Sequence, residues 1–231
     1  MVYDLTVVTG ASSGIGAACA VALAKVSRKV VLIARDQQRL DIVGNEVRAL
    51  GADACSISLD ITASLAVDKT SKEIRSQFGR IGAFVHSAGE IRPIGMMRNV
   101  DPDLWLAGFR ANAEGTYNCV RSFLNEFTME KNSTFVGITS YADRYYTPGE
   151  SQYSAGKSAS YQILKYAEQE LLFGSTRLIR LNPGAVATPM QNVIADAGFA
   201  EAEPTVPASA ISARVMELLV DHSQPSGDYV L

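Results

Sequence analysis

At 231 residues, 47% of them hydrophobic and 19% charged, the chain is long enough to bury a substantial core and suits one large domain. Its 21 Lys+Arg against 24 Asp+Glu leave a net charge of -3 with no basic run, which argues against a nucleic-acid partner. Three dispersed cysteines (Cys19, Cys55, Cys119) and two histidines (His86, His222) suggest free thiols in a reducing compartment and no metal site.

The opening "MVYDLTVVTG" enters a β-branched run directly, with neither a basic leader nor an apolar signal core. The longest apolar stretches, such as "VVLIA", are strand-sized, so a soluble cytoplasmic protein without membrane contact is expected. β-Branched runs predict strands over 4–9, 29–34, 53–59, 82–87, 133–139, 177–182 and 228–231. Helical patterns fill 14–26, 37–50, 64–78, 102–130, 152–173 and 207–221. In "DPDLW", Asp101 can accept from the first free amides while Pro102 occupies the first helical position. The alternation implies a parallel sheet with helices on both faces, an α/β fold of three α/β/α layers. Runs such as "KVVLIA" and "GAFVHSAG" are apolar enough for strands buried on both sides. No repeat or linker interrupts the chain, so a single domain over 1–231 is expected. The least regular stretch, "TPMQNVIADAGFAEAEPTV" at 188–206, is expected to be a flap.

The first strand ends in "TGASSGIG", with Gly10, Gly14 and Gly16 leading into an apolar helix. Glycines permit a tight turn and close backbone approach, and the helix start presents free amides to a pyrophosphate. The spacing G-x-x-x-G-x-G differs from the more familiar G-x-G-x-x-G. At the end of the second strand, a carboxylate would accept from the ribose of NAD, whereas an arginine would pair with the 2′-phosphate of NADP. Arg35 favours NADP(H), with Ser12 a further donor to that phosphate; NAD(H) stays open, because Asp36 can be read as a ribose-binding acid or as a helix cap.

Downstream, "SQYSAGKSAS" puts Tyr153 and Lys157 one helical turn apart among small residues. Further motifs are "LDI" at 59–61, "HSAG" at 86–89, "WLAGFRAN" ending in Asn112, "ITS" ending in Ser140, and "NPGAVAT" at 182–188. Together these resemble the short-chain dehydrogenase/reductase family, in its TGxxxGxG/YxxxK form, over nearly the whole chain. The resemblance implies a doubly wound Rossmann-type sheet. It also implies cofactor contacts from Gly10, Ser12, Ser13, Gly14, Ile15, Gly16, Arg35, Asp60, Ile61, Ala88, Gly89, Tyr153, Lys157, Pro183, Gly184, Val186 and Thr188. Catalysis falls to Asn112, Ser140, Tyr153 and Lys157, with Asn112 giving a water-linked proton path to Lys157. His86 and Ser87 stand where relatives usually have two asparagines, so altered local hydrogen bonding is expected. A short glycine-rich tail often found in relatives after the last strand does not follow "GDYVL" here. A homodimer or homotetramer paired through the long helices is expected by analogy.

A phenol with a pKa of about 10 is a poor base near neutrality, and the Lys157 ammonium is expected to lower it. Ser140 would hold the substrate oxygen. The expected activity is an NADP(H)-dependent oxidoreductase that reduces a ketone or aldehyde, with Tyr153 as proton donor and a small-molecule carbonyl or alcohol as substrate. Alternatives are an NAD(P)+-dependent alcohol dehydrogenase, a tailoring enzyme using the same tyrosine, and a non-catalytic NADP-binding regulator, which would not need the acid–base set. The pocket is expected to draw on the segment after Ser140, with Tyr141, Tyr145 and Tyr146, on the segment after Gly89, and on the flap at 188–206. Asp143, Arg144, Glu90 and Arg92 can be read as solvated loop charges, or the arginines as partners for a charged substrate.

Overall fold

The computed structural model describes residues 2–127, 133–171, 176–198 and 205–231, without the side chains of 125–127. Strands β1 (Tyr3–Thr9), β2 (Ser27–Ala34), β3 (Asp53–Ser58), β4 (Ala83–His86), β5 (Thr134–Ile138) and β6 (Arg177–Asn182) alternate with helices. The helices are α1 (Gly14–Leu23), α2 (Gln37–Ala49), α3 (Ser64–Phe78), α4 (Pro102–Phe127) and α5 (Ser151–Glu170). There follow β7 (Val186–Ala187), α6 (Pro189–Ala197), β8 (Val206–Pro207), α7 (Ala208–Val220) and β9 (Gly227–Val230). Seven strands form one all-parallel sheet in the order β3-β2-β1-β4-β5-β6-β9. The chain winds outward from β1 in one direction and from β4 in the other. The carboxyl ends of these two strands therefore flank a crevice, with Thr9 in register with His86.

Side chains alternate across each strand, and both faces are covered. Val8, Val30, Leu32, Val85 and Val136 face one core, closed by Cys19 and Leu23 of α1, Leu40 of α2 and Val215 of α7. Leu5, Val7, Val31, Ile33, Phe84 and Phe135 face the other, closed by Val67 of α3, Phe123 of α4 and Leu164 of α5. There the Phe84 and Phe135 rings stack at 4.7 Å.

Local chemistry sets the element ends. Asp101 accepts from Asp103 N at 2.9 Å and Leu104 N at 3.1 Å at the start of α4. Asp36 accepts from Arg39 N at 3.1 Å and caps α2. Helix α1 ends at Leu23, short of the expected 26, because tight i→i−3 bonds from Ala24, Lys25 and Val26 turn the chain into β2 at Ser27. The ends of the expected helices 102–130 and 152–173 run past the described residues at 128–130 and 172–173.

The expected irregular flap at 188–206 is in part a helix. Thr188 caps α6 by accepting from Gln191 N, Pro189 occupies its first turn, and Gly198, at φ +69°, closes it. The segment is bracketed by the pairing of Val186 with Val206. Capping signals at both ends outweigh the small-residue composition that suggested a loop. Residues 199–204 of the expected flap lie outside the described residues.

At the far edge of the sheet, the almost fully buried Arg180 of β6 bonds Glu168 of α5 and Asp228 of β9, each at 2.8 Å. Removing one member of such a cluster leaves buried charge without its partner. Arg180→Ala should therefore cost about 3–5 kcal/mol of unfolding free energy in urea titrations. A loss within about 0.5 kcal/mol would show the cluster to be solvated.

Candidate active site

The crevice opens into a cleft of about 1420 Å³, lined from the glycine turn to the start of α5. At the turn, Gly10 has φ +69°, and a Cβ there would lie 2.8 Å from the Ala88 amide. A Cβ on Gly16 would run into the Gly10 carbonyl, so glycine lets the first turn of α1 close on the strand end. Ser13, at the N-cap, makes no side-chain bond to the helix. The turn therefore keeps the concave backbone and positive helix end that suit a pyrophosphate.

Ser12, Ser13, Gly14, Ile15, Arg35, Asp60 and Ile61 line one arm of the cleft together with Gly10. Asp60 Oδ1 accepts from the Thr62 amide at 2.9 Å and its hydroxyl at 2.8 Å, which fixes the carboxylate. Arg35 Nη2 lies 3.4 Å from Glu90 Oε2. Ala88, Gly89, Ser140, Tyr153, Lys157, Pro183, Gly184, Val186 and Thr188 line the rest.

Tyr153 and Lys157 are both buried, on the face of α5 that meets the sheet end. Lys157 Nζ donates to the Ile138 carbonyl at 3.1 Å and sits 5.8 Å from the Tyr153 ring centroid. Burial pushes Lys157 down to about 8, with Asp143 opposing. The expected lowering of Tyr153 is reversed: burial pushes it up to about 12, with its hydrogen bond to Ser140 pulling the other way and Glu150 adding to the rise. Withdrawing a phenolate from water costs more here than its polar neighbours return.

Asn112 and Gly16 are the two expected site residues that do not line the cleft. Asn112 Nδ2 donates to the Glu90 carbonyl at 2.7 Å and the Gly108 carbonyl at 3.0 Å, and its Oδ1 accepts from Glu90 N at 3.1 Å. Its side chain thus clamps the peptide groups of Glu90.

His86 is buried between two threonines. Nδ1 lies 2.9 Å from Thr9 Oγ1, and Nε2 lies 3.0 Å from Thr116 Oγ1. Thr116 spends its proton on the Asn112 carbonyl at 2.6 Å, so it accepts from His86 Nε2–H, and Nδ1 accepts from Thr9. Thr9 Oγ1 accepts in turn from Ala88 N at 3.4 Å. A directed chain of hydrogen bonds thus runs from Ala88 to Asn112. Burial, seconded by Lys157, pushes His86 down to about 3, so the ring is neutral.

Arg144 corrects one expectation. It pairs with Asp143 at 3.5 Å, packs over the Tyr161 ring and does not line the cleft. Asp143 has a buried side chain and is no rim charge. Tyr141, Tyr145 and Arg92 do line the cleft, whereas Tyr146 is exposed and does not. Missed in the sequence were Arg39, four residues after Arg35, and Arg110, two residues before Asn112, whereas Met190, Val193 and Ile194 on α6 line the cleft as expected of the 188–206 flap. The i,i+3,i+4 spacing of these three behind a Thr-Pro cap was the available signal that this part of the flap is a helix.

A family model described as short chain dehydrogenase matches residues 4–197. The chain belongs to the short-chain dehydrogenase/reductase family. Among its curated relatives is a 3-oxoacyl-[acyl-carrier-protein] reductase of Synechocystis sp., 32% identical over 81% of this chain and 76% of that protein. A metagenomic short-chain oxidoreductase solved with NADP is 26% identical and superposes with a TM-score of 0.85 over 99% of this chain and 96% of the other. An NAD+-bound xylitol dehydrogenase, 19% identical, shares the fold with a TM-score of 0.90 over 99% and 97% of the two chains. This short-chain dehydrogenase/reductase is thus an NAD(P)-dependent oxidoreductase acting on a small molecule. None of its described helices is long and apolar enough to cross a membrane.

Proposed function

We propose that the chain reduces a ketone or aldehyde to an alcohol with NADPH, using Tyr153 as proton donor. The observation that carries this reading is the meeting of Ser140, Tyr153 and Lys157 at one arm of a cleft whose other arm holds the glycine turn and Arg35. The residues fit a dinucleotide: a Cβ on Gly10 or Gly16 would clash, and Arg35 offers a forked cation at the strand end where a 2′-phosphate is read. When bound, the nicotinamide supplies the hydride. On that reading the turn from Gly10 to Gly16 holds the pyrophosphate, Asp60 the adenine and Lys157 the nicotinamide ribose. Ser140 holds the substrate oxygen, and Tyr153 Oη–H gives it a proton as negative charge develops there. Asn112 acts by fixing the backbone of Glu90 beside the site.

The relative named as a 3-oxoacyl-[acyl-carrier-protein] reductase supports the reductive direction. Free Cys19 and Cys119, both buried, suit a reducing, cytoplasmic setting. A single sheet threading residues 3–230 supports one domain. Exposed Leu104 and Tyr117 on α4 and Tyr166 on α5 support a homo-oligomer.

The test is an assay of NADPH against NADH over neutral and anionic ketones, aldehydes and alcohols, with kcat/KM followed against pH. Tyr153, pushed up to about 12, keeps its proton through the neutral range, so reduction should be level below pH 8. Above about 8, Lys157 loses the charge that steadies the phenolate left behind, and reduction should fall. Oxidation needs the deprotonated tyrosine beside a charged Lys157, so it should rise with pH up to about 8 and level off above it. Tight NADPH binding without turnover of any carbonyl would point instead to a regulator.

A further inference from the structure

The Arg35–Glu90 pair joins two arms of the cleft 55 residues apart in sequence. Its members are held very differently. The Glu90 side chain is 25% exposed and that of Arg35 69%. Glu90 Oε1 accepts from Arg92 N at 3.0 Å, and Asn112 clamps the Glu90 backbone through both its N–H and its carbonyl. The carboxylate is thus fixed from its own loop, while the guanidinium reaches across to it from the strand end. Both groups line the cleft.

We propose that Glu90 is a specificity residue that restrains the preference for 2′-phosphorylated cofactors, because its carboxylate holds the guanidinium that a 2′-phosphate needs. This rests on the reading of Arg35 as the partner of that phosphate. A dianionic phosphate arriving at Arg35 must draw the guanidinium away from Glu90 and lie close to a fixed negative charge. A ribose carrying only hydroxyls meets neither cost. Glu90 therefore weakens NADP(H) binding and leaves NAD(H) binding nearly unchanged, which narrows the gap between the two. Glu90→Gln removes the charge and keeps an oxygen for the Arg92 amide, and the Asn112 clamp on the backbone is untouched.

The experiment is calorimetric binding of 2′,5′-ADP and 5′-AMP to the full chain as wild type, E90Q, R35A and the double variant, with thermal unfolding checked for each. E90Q should raise the 2′,5′-ADP/5′-AMP affinity ratio roughly two- to fivefold, the range for an exposed ion pair, by tightening 2′,5′-ADP alone. R35A should collapse the ratio, and E90Q should add nothing in that background. An unchanged ratio in E90Q, with R35A still collapsing it, would overturn the role of Glu90 while leaving the NADP reading intact. An equal gain from E90Q with and without Arg35 would also overturn it, because the effect would then be general charge. A wild-type ratio that survives R35A would remove the NADP reading and the proposal together.

Discussion

Replacing Tyr153 with phenylalanine should lower turnover by about a thousandfold, within the range for loss of a general acid. Binding of NADPH should stay within about twofold of wild type, since a proton lost from the reacting centre leaves uniform binding intact. The ring of Tyr153 is buried on α5, and phenylalanine keeps its volume, so the helix should hold its place. Removing the hydroxyl also removes the group whose burial pushed its pKa up to about 12. Carbonyl reduction by the variant should then lose the fall above pH 8 that the Tyr153–Lys157 pair imposes. Steady-state kinetics with cofactor fluorescence titration measures both quantities. Turnover near the wild-type rate would remove Tyr153 from the chemistry and with it the proposed mechanism.

The second large effect concerns stability in acid. His86 is buried, and its pKa is lowered from 6.5 to about 3. In the unfolded chain the ring gains a proton below about pH 6.5, whereas the folded chain resists it until about pH 3. The contribution is therefore fully present above pH 6.5 and is lost as pH falls toward 3. At about 1.4 kcal/mol per pH unit, the loss amounts to several kcal/mol, a large share of a domain's stability. Charging the ring would also break the bond pattern, because Nδ1 could no longer accept from Thr9. His86→Asn, which puts a side chain without a proton to gain at this position, should flatten the fall in urea-unfolding free energy between pH 6 and pH 4 and move the acid midpoint lower. Identical pH dependence in the two proteins would show that other groups govern acid unfolding.

The pair of substitutions separates two uses of one small region. Tyr153 and His86 both lie near Lys157, the first one turn away on α5, with Nζ 5.8 Å from its ring centroid, and the second feeling its charge. His86 holds Thr116, and Thr116 holds the Asn112 carbonyl, while Asn112 clamps Glu90. Loosening His86 should thus disturb the loop that carries Glu90 before it disturbs Tyr153.

Much of this molecule can be read locally. Strand β2 is apolar because both faces of its sheet are covered, and the Asp101–Pro102 pair marks the start of α4 by satisfying or omitting the first free amides. Tyr153 and Lys157 share a face because helical periodicity puts i and i+4 together, and the glycine turn is a property of eight consecutive residues. Such features depend on neighbours in the chain, so the sequence by itself determined them, along with the family resemblance that they carry. Other features depend on what tertiary packing brings near or shuts away from water. The bond from Arg35 to Glu90, the chain of bonds through His86, and the grip of Asn112 on the Glu90 backbone join residues that no spacing rule links. The direction of the Tyr153 shift belongs to the same class. Counting the Lys157 charge predicted a fall, but desolvation depends on the whole enclosing structure, and only the fold decided that it wins.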